Sequence, residues 1–246
     1  MSVANDLPGK RIVIPKPVLI AILILVSAGL LALMWTYGFT VVSIAQVKQV
    51  EQSEAFDPVK YVDGIWAGKI IPTITDKAVD LPTILSAIHP GSNGYAAKDD
   101  LIPLAKQYGL ITVGEAHVYS VKFRGKVLSV DAKTRSGTME IQPDSYNGPV
   151  KVYVYVGTSI PSDNSSIRDA VGFINFGDFK EQTQYGKVAA EINNRVVQDV
   201  LSHLDKANLQ GKTVSVTGAF TFRTFNLVNI DVRKITIVPI KIESVG

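Results

Sequence analysis

Residues 119–130, "YSVKFRGKVLSV", change hydrophobic parity in mid-run. Tyr119, Val121 and Phe123 alternate with polar residues, the period of a half-buried strand. Beyond Gly125 the apolar positions are Leu128 and Val130, one step out of phase. A β-bulge at Gly125 to Val127 is expected to supply that step. It would bend the strand so that its two halves face different sheets.

The neighbouring segments fit a small barrel. "GTMEIQP" (137–143) reads as a second strand. "GPVKVYVYVG" (148–157) reads as a third, with Val150, Val152, Val154 and Val156 on one face and Tyr153 and Tyr155 on the other. After a long connection, Val188, Ala189, Ile192, Val196, Val200, Leu201 and Leu204 recur at the 3-4 spacing of an amphipathic helix, which Gly211 follows. "KTVSVTGAFTF" (212–222) and "KITIVPIKIE" (234–243) read as two closing strands. Pro239 marks an edge or a bulge in the last. Three strands, a helix and two strands is the order of a five-stranded OB barrel. A generic α+β meander is the alternative.

The N-terminal third reads differently. Lys10, Arg11 and Lys16 precede 22 uncharged residues, Val18 to Phe39. At ~1.5 Å rise each these span roughly 30 Å, the thickness of a bilayer core. Trp35 and Tyr37 sit at the far end, where amphipathic rings favour the interface. The expected organisation is a cytoplasmic basic head (1–17), a transmembrane signal anchor (18–39), a helical stalk and cap (40–112) and an OB-like barrel domain (113–246). The fold class is α+β. The positive-inside rule makes this a single-pass protein of the inner membrane, N-terminus cytoplasmic and main domain extracytoplasmic. The alternatives are a signal cleaved near Ser27-Ala28-Gly29, although eight mostly apolar residues follow that triplet, and a buried core helix. In the cap region "IWAGKIIP" (65–72) is expected as a short strand. "DLPTILSAIH" (80–89) and "KDDLIPLAKQYG" (98–109) are expected as short helices around a Pro/Gly loop.

"FDPVKYVDGIW" (56–66), "IRDAVGFINFGDFKEQTQYGKVAAEINNRV" (167–196) and "LQGKTVSVTGAF" (209–220) together resemble the domain-of-unknown-function 2291 family of predicted periplasmic lipoproteins. The likeness covers nearly all of residues 55–242. It implies an OB-like fold and an association with sugar transport systems, and it carries no mechanism. Lipoprotein members bear a cysteine just after a short apolar run. Here "LVSAGL" (25–30) has the small residues without the thiol, and the chain contains no cysteine. Lipid attachment through a thioether, disulfides and thiolate chemistry are thereby excluded, and the longer apolar run is expected to stand in for the lipid.

Beyond the head and anchor, the chain holds 22 basic and 21 acidic residues, too even a balance for a nucleic-acid surface. His89, His117 and His203 are scattered without metal-ligand spacing. No nucleophile elbow, dinucleotide fingerprint or phosphate loop occurs. No catalytic residue, metal or cofactor is therefore nominated, and no enzyme is expected. The connection 167–185 is the candidate for contacts. It combines Arg168, Asp169, Asn175, Asp178, Lys180 and Gln182 with Phe173, Phe176 and Phe179, the mix of planar polar groups and ring faces that carbohydrate sites use. The competing reading has the phenylalanines plugging the barrel bottom while Arg168 and Asp169 pair. Tyr153 and Tyr155, with Lys151, form a candidate stacking face; packing under helices is the alternative. The expected function is an accessory or partner-binding component beside an ABC-type sugar transporter or another envelope protein. The alternatives are a carbohydrate-binding OB module and, more remotely, an envelope hydrolase.

Overall fold

The computed structural model describes residues 15–37 and 56–245. The basic head with Lys10 and Arg11, the end of the apolar run at Gly38 and Phe39, and the first part of the expected stalk lie outside the described residues. The chain divides into two compact units, Met1–Ala55 and Phe56–Gly246.

In the first unit, α1 (Lys16–Tyr37) is a single helix, long and apolar enough to cross a membrane. It has no polar stripe. The hydroxyls of Ser27 and Thr36 donate back to the carbonyls of Ile24 and Ala32 at 2.9 Å, which satisfies them within the helix.

The second unit is built on a closed barrel of β4 (His117–Val130), β5 (Thr138–Pro143), β6 (Lys151–Tyr155), β7 (Thr213–Phe222) and β9 (Lys234–Val245). The order around the barrel is β4-β5-β6-β9-β7, with β7 pairing back onto β4. Only the β6–β9 pair among these is parallel. The long strand β4 makes closure possible. One edge pairs with β7 from His117 to Lys126. The other takes β3 (Leu110–Ile111), then β1 (Val79–Asp80), then β5. A separate two-stranded ribbon joins β2 (Tyr95–Ala97) to β8 (Asn229–Asp231).

The parity change is real, but its expected position is corrected. Tyr119, Val121, Phe123, Gly125 and Val127 all face the interior in one unbroken alternation. The extra residue is Leu128. Val127 pairs with Ile141 and Ser129 with Glu140, so Leu128 is left out and Val130 turns inward again. Gly125 serves close approach instead: a Cβ there would meet the Gln142 carbonyl and come within 2.7 Å of Ile141. In β9 the break at Pro239 is a bulge inside the barrel. Gly218 faces Pro239 and Thr217 faces Lys241, which leaves Ile240 unpaired.

Two cores lie on either side of the barrel wall. The interior core holds the inward residues of all five strands. It is extended by Leu81, Ile84 and Leu85 of α4 (Leu81–Ser86) and by Leu101, Leu104 and Ala105 of α5 (Lys98–Tyr108). The outer core places Val118, Ala219, Val238 and Ile240 under α2 (Pro58–Asp63), α3 (Ile71–Lys77), α6 (Ser166–Val171) and α7 (Gln182–Val196). The inter-strand helix α7 thus packs outside the wall. This overturns the reading in which the phenylalanines plug the barrel bottom: Phe173 and Phe179 pack into the outer core, and Phe176 is exposed.

The expected strand at 65–72 is also corrected. Asp57 caps α2, accepting from the Val59 and Lys60 amides. A π-helical turn, Trp66–Ile70, then leads into α3. Val62, Trp66, Ile70 and Ile74 are buried at four-residue steps, a helical period that the apolar cluster Ile70-Ile71 conceals in a short window.

Candidate functional site

The nominated connection is occupied largely with its own contacts. Arg168 and Asp169 lie in the middle of α6 and pair at 2.7 Å, with both side chains about one-tenth exposed. Arg168 also donates to the Tyr185 carbonyl at 3.1 Å, and its guanidinium lies 3.6 Å from the centre of the Tyr185 ring. Asp169 accepts from Ser165 Oγ at 2.6 Å and from Tyr185 Oη at 3.3 Å. Burial pushes the Tyr185 phenol up, while the adjacent Arg168 charge opposes that shift. The charges are therefore desolvated and matched, and the cluster clamps α6 to the start of α7.

The rest of the connection is local scaffolding. Asn175 and Asp178 form a reciprocal capping box around the one-turn helix Phe176–Asp178, with the Asn175 amide donating to Asp178 Oδ2 at 2.9 Å. The Lys180 backbone amide donates to Gln184 Oε1. Gln182 is the exposed first residue of α7. Phe179 meets the rings of Phe56, Tyr61 and Tyr185 at 5.4–5.7 Å, a cluster reaching from the start of the domain to α7.

Tyr153 and Tyr155 both lie on the outer face of β6, yet only Tyr155 lines a cavity. Beside Tyr153, Lys151 pairs with Glu140 across the β5–β6 pair at 3.3 Å. Tyr155 is held against the outer core and interacts with Asn164, and burial pushes its phenol up.

That cavity is a cleft of about 550 Å³, inside the ~300–1,000 Å³ range of small-molecule sites. Its origin is topological. The pairing of β7 with β9 ends at Ala219 and Val238. Beyond that point β9 keeps only β6, on its other edge, and Thr221–Arg223 and Lys234–Thr236 line the cleft without pairing to each other. Residues 163–166 close one side, and Leu227, Ile230 and Asp231 close another. Asn193 of α7, itself buried, holds the segment by donating to the carbonyls of Pro161 (3.2 Å) and Asn164 (2.8 Å). Thr221 Oγ1 donates to Ser166 Oγ across the cleft at 2.9 Å.

Both carboxylates of this lining are paired. Arg223 pairs with Asp163 at 2.9 Å. Asp231 is bound twice by Arg233, whose guanidinium holds its carboxyl down at about 2. Lys234 is the other cation in the wall. Among the described residues no group of three histidine, aspartate or glutamate side chains is placed to hold a metal. Of the cleft residues, sequence reasoning found Tyr155 alone. The polar run Asp163-Asn164-Ser165-Ser166 was a visible signal, but its partner Thr221 emerges only from strand pairing.

Architecture and cleft together define an OB-fold domain, preceded in the chain by an apolar helix. The chain belongs to the domain-of-unknown-function 2291 family, described as predicted periplasmic lipoproteins, whose model matches residues 29–243. Its domain is similar to an OB-fold protein from Thermotoga maritima, solved by crystallography. The two are 17% identical with a TM-score of 0.53, over 78% of this chain and 100% of that one. At that identity the likeness bears on the fold. A search of curated proteins finds no match. The family description and the chain diverge at one point, since no cysteine is present to carry a lipid.

Proposed function

We propose that this is a periplasmic binding module held at the inner membrane by α1, N-terminus cytoplasmic, acting as an accessory to a transport system of the envelope. The cleft is its ligand site, and its ligand is a neutral polyol of the carbohydrate class. One observation carries the reading: a ligand-sized cleft presents hydroxyls, an amide and a tyrosine ring beside carboxylates that are already paired. Hydroxyl groups suit Asn164, Ser166, Thr221 and Thr236 as donors and acceptors. The apolar face of a sugar ring suits Tyr155. Arg223 and Arg233 pair with Asp163 and Asp231, and Lys234 can donate to a ligand hydroxyl.

The test is thermal unfolding of the purified full chain in detergent with a panel of sugars and oligosaccharides. A ligand that binds only the folded state, at 100 times its dissociation constant, adds about 2.7 kcal/mol. A saturable upward shift with one neutral sugar class is expected. A flat panel contradicts the ligand class, and turnover of a glycan substrate contradicts binding without chemistry.

A further inference from the structure

Two β-turns sit side by side at the end of the domain where β4 begins. The first is Thr112–Glu115, closed by the Glu115 amide donating to the Thr112 carbonyl at 2.9 Å. The second is Thr224–Leu227, closed in the same way at 3.1 Å. They are joined: Thr224 Oγ1 donates to the Glu115 carbonyl, the Lys98 amide donates to the Val228 carbonyl at 2.8 Å, and Lys98 Nζ pairs with Glu115. Thr224 is fully buried in this junction, so the turns form one fixed unit.

Each turn carries an apolar side chain in its second position, where proline and small polar residues are usual. Val113 is fully exposed and Phe225 is 65% exposed. Leu227 and Val228, at 48% and 77%, extend the same surface. None of the four belongs to either core. A phenylalanine at the tip of a rigid turn has no folding role to explain it. A contiguous exposed apolar patch on such a turn pair marks an interaction surface.

We propose that these paired turns dip into the headgroup region of the bilayer. The inference rests on the reading of α1 as a membrane anchor. Two features favour lipid over a protein partner. Val113 and Phe225 stand exposed at turn tips, which suits shallow insertion, whereas a protein hot spot is built around a pocket. The chain between Tyr37 and Phe56 is also short: its 18 residues reach at most about 65 Å when fully extended. An anchored domain therefore meets the lipid surface at high effective concentration, and a weak interfacial affinity is enough. Leu227 borders the cleft as well, so this seating would hold the mouth of the cleft next to the membrane.

The absence of native cysteine makes the test clean. The full chain is prepared as F225C, V113C or K133C, labelled with an environment-sensitive nitrobenzoxadiazole probe, and reconstituted into phosphatidylethanolamine/phosphatidylglycerol vesicles. Lys133 is exposed in the loop at the opposite end of β4 and serves as the control. Labels at 225 and 113 are expected to show blue-shifted emission and quenching by shallow nitroxide lipids, and the label at 133 neither. Thermal unfolding of each variant checks that the domain stays folded. Vesicles that carry the chain on flotation while the labels at 113 and 225 report water overturn this inference and leave the anchor standing. Blue-shifted labels that lipid nitroxides do not quench overturn it in favour of a covering protein surface. A chain that fails to float with the vesicles overturns the anchor and this inference with it.

Discussion

Residues 163–166 and residues 168–169 are neighbours in the chain and similarly polar, but they are used in opposite ways. Asp163, Asn164, Ser165 and Ser166 line the cleft, although Ser165 also reaches back to Asp169 and Ser166 accepts from Thr221. Arg168 and Asp169 face inward, and four partner interactions consume their hydrogen-bonding capacity. The contrast shows what separates a binding surface from a structural clamp. Residue type does not do it, since both segments carry charge. What matters is whether the partnered groups still border a cavity: residues 163–166 keep internal partners yet line the cleft, whereas Arg168 and Asp169 are spent joining α6 to α7.

The largest effect is expected at the clamp. Arg168→Ala leaves the Asp169 carboxylate buried without its counter-charge, and urea unfolding should report a loss of about 3 kcal/mol. A variant as stable as the parent would show that the pair is dispensable and reopen 168–169 as a contact surface. Next comes Asn193→Ala, which strips two backbone carbonyls of their donor. It should cost about 2 kcal/mol and also weaken sugar binding, because Asn193 fixes the wall of the cleft. Unchanged binding by titration calorimetry would separate the wall from the ligand.

A smaller effect lies outside both segments. His117 is buried at the start of β4 with Nδ1 unpartnered, and burial, then the Lys98 charge, lower its pKa while Glu115 opposes them. The unfolded chain then binds more protons than the folded one below the ordinary imidazole value of 6.5. Stability should be full above that pH and decline as the pH falls through the lowered folded value. His117→Phe should flatten this slope in denaturant titrations at stepped pH. The smallest change in stability is expected for Arg223→Ala. Its ion pair with Asp163 is exposed on both sides, so the shift should stay within about 0.5 kcal/mol, while sugar affinity falls.

Local patterns in the sequence reached far into the fold and only a little way into the site. The five barrel strands, their order and the amphipathic α7 were legible because each rests on a period within one segment. The parity change in β4 was legible too, but its position was not. Gly125 attracts the bulge in a one-dimensional reading, yet it is needed where β4 crosses β5 closely, and Leu128 takes the bulge. The interior contribution of α4 and α5 was hidden because a helix does not state which side of a sheet it covers. The cleft was hidden for the same kind of reason. It opens where the β7–β9 ladder stops at Ala219 and Val238, a fact about pairing between strands that local patterns do not carry.

Calorimetric titration of the full chain with the sugar that most raises its unfolding temperature, in parallel with Thr221→Val and Asp178→Ala, sets the cleft against the connection. Thr221 bridges the cleft to Ser166, whereas Asp178 caps an exposed turn. The cleft reading predicts that Thr221→Val loses affinity at least several-fold while Asp178→Ala binds like the parent. Binding that survives Thr221→Val and disappears with Asp178→Ala would contradict it and move the site to the connection.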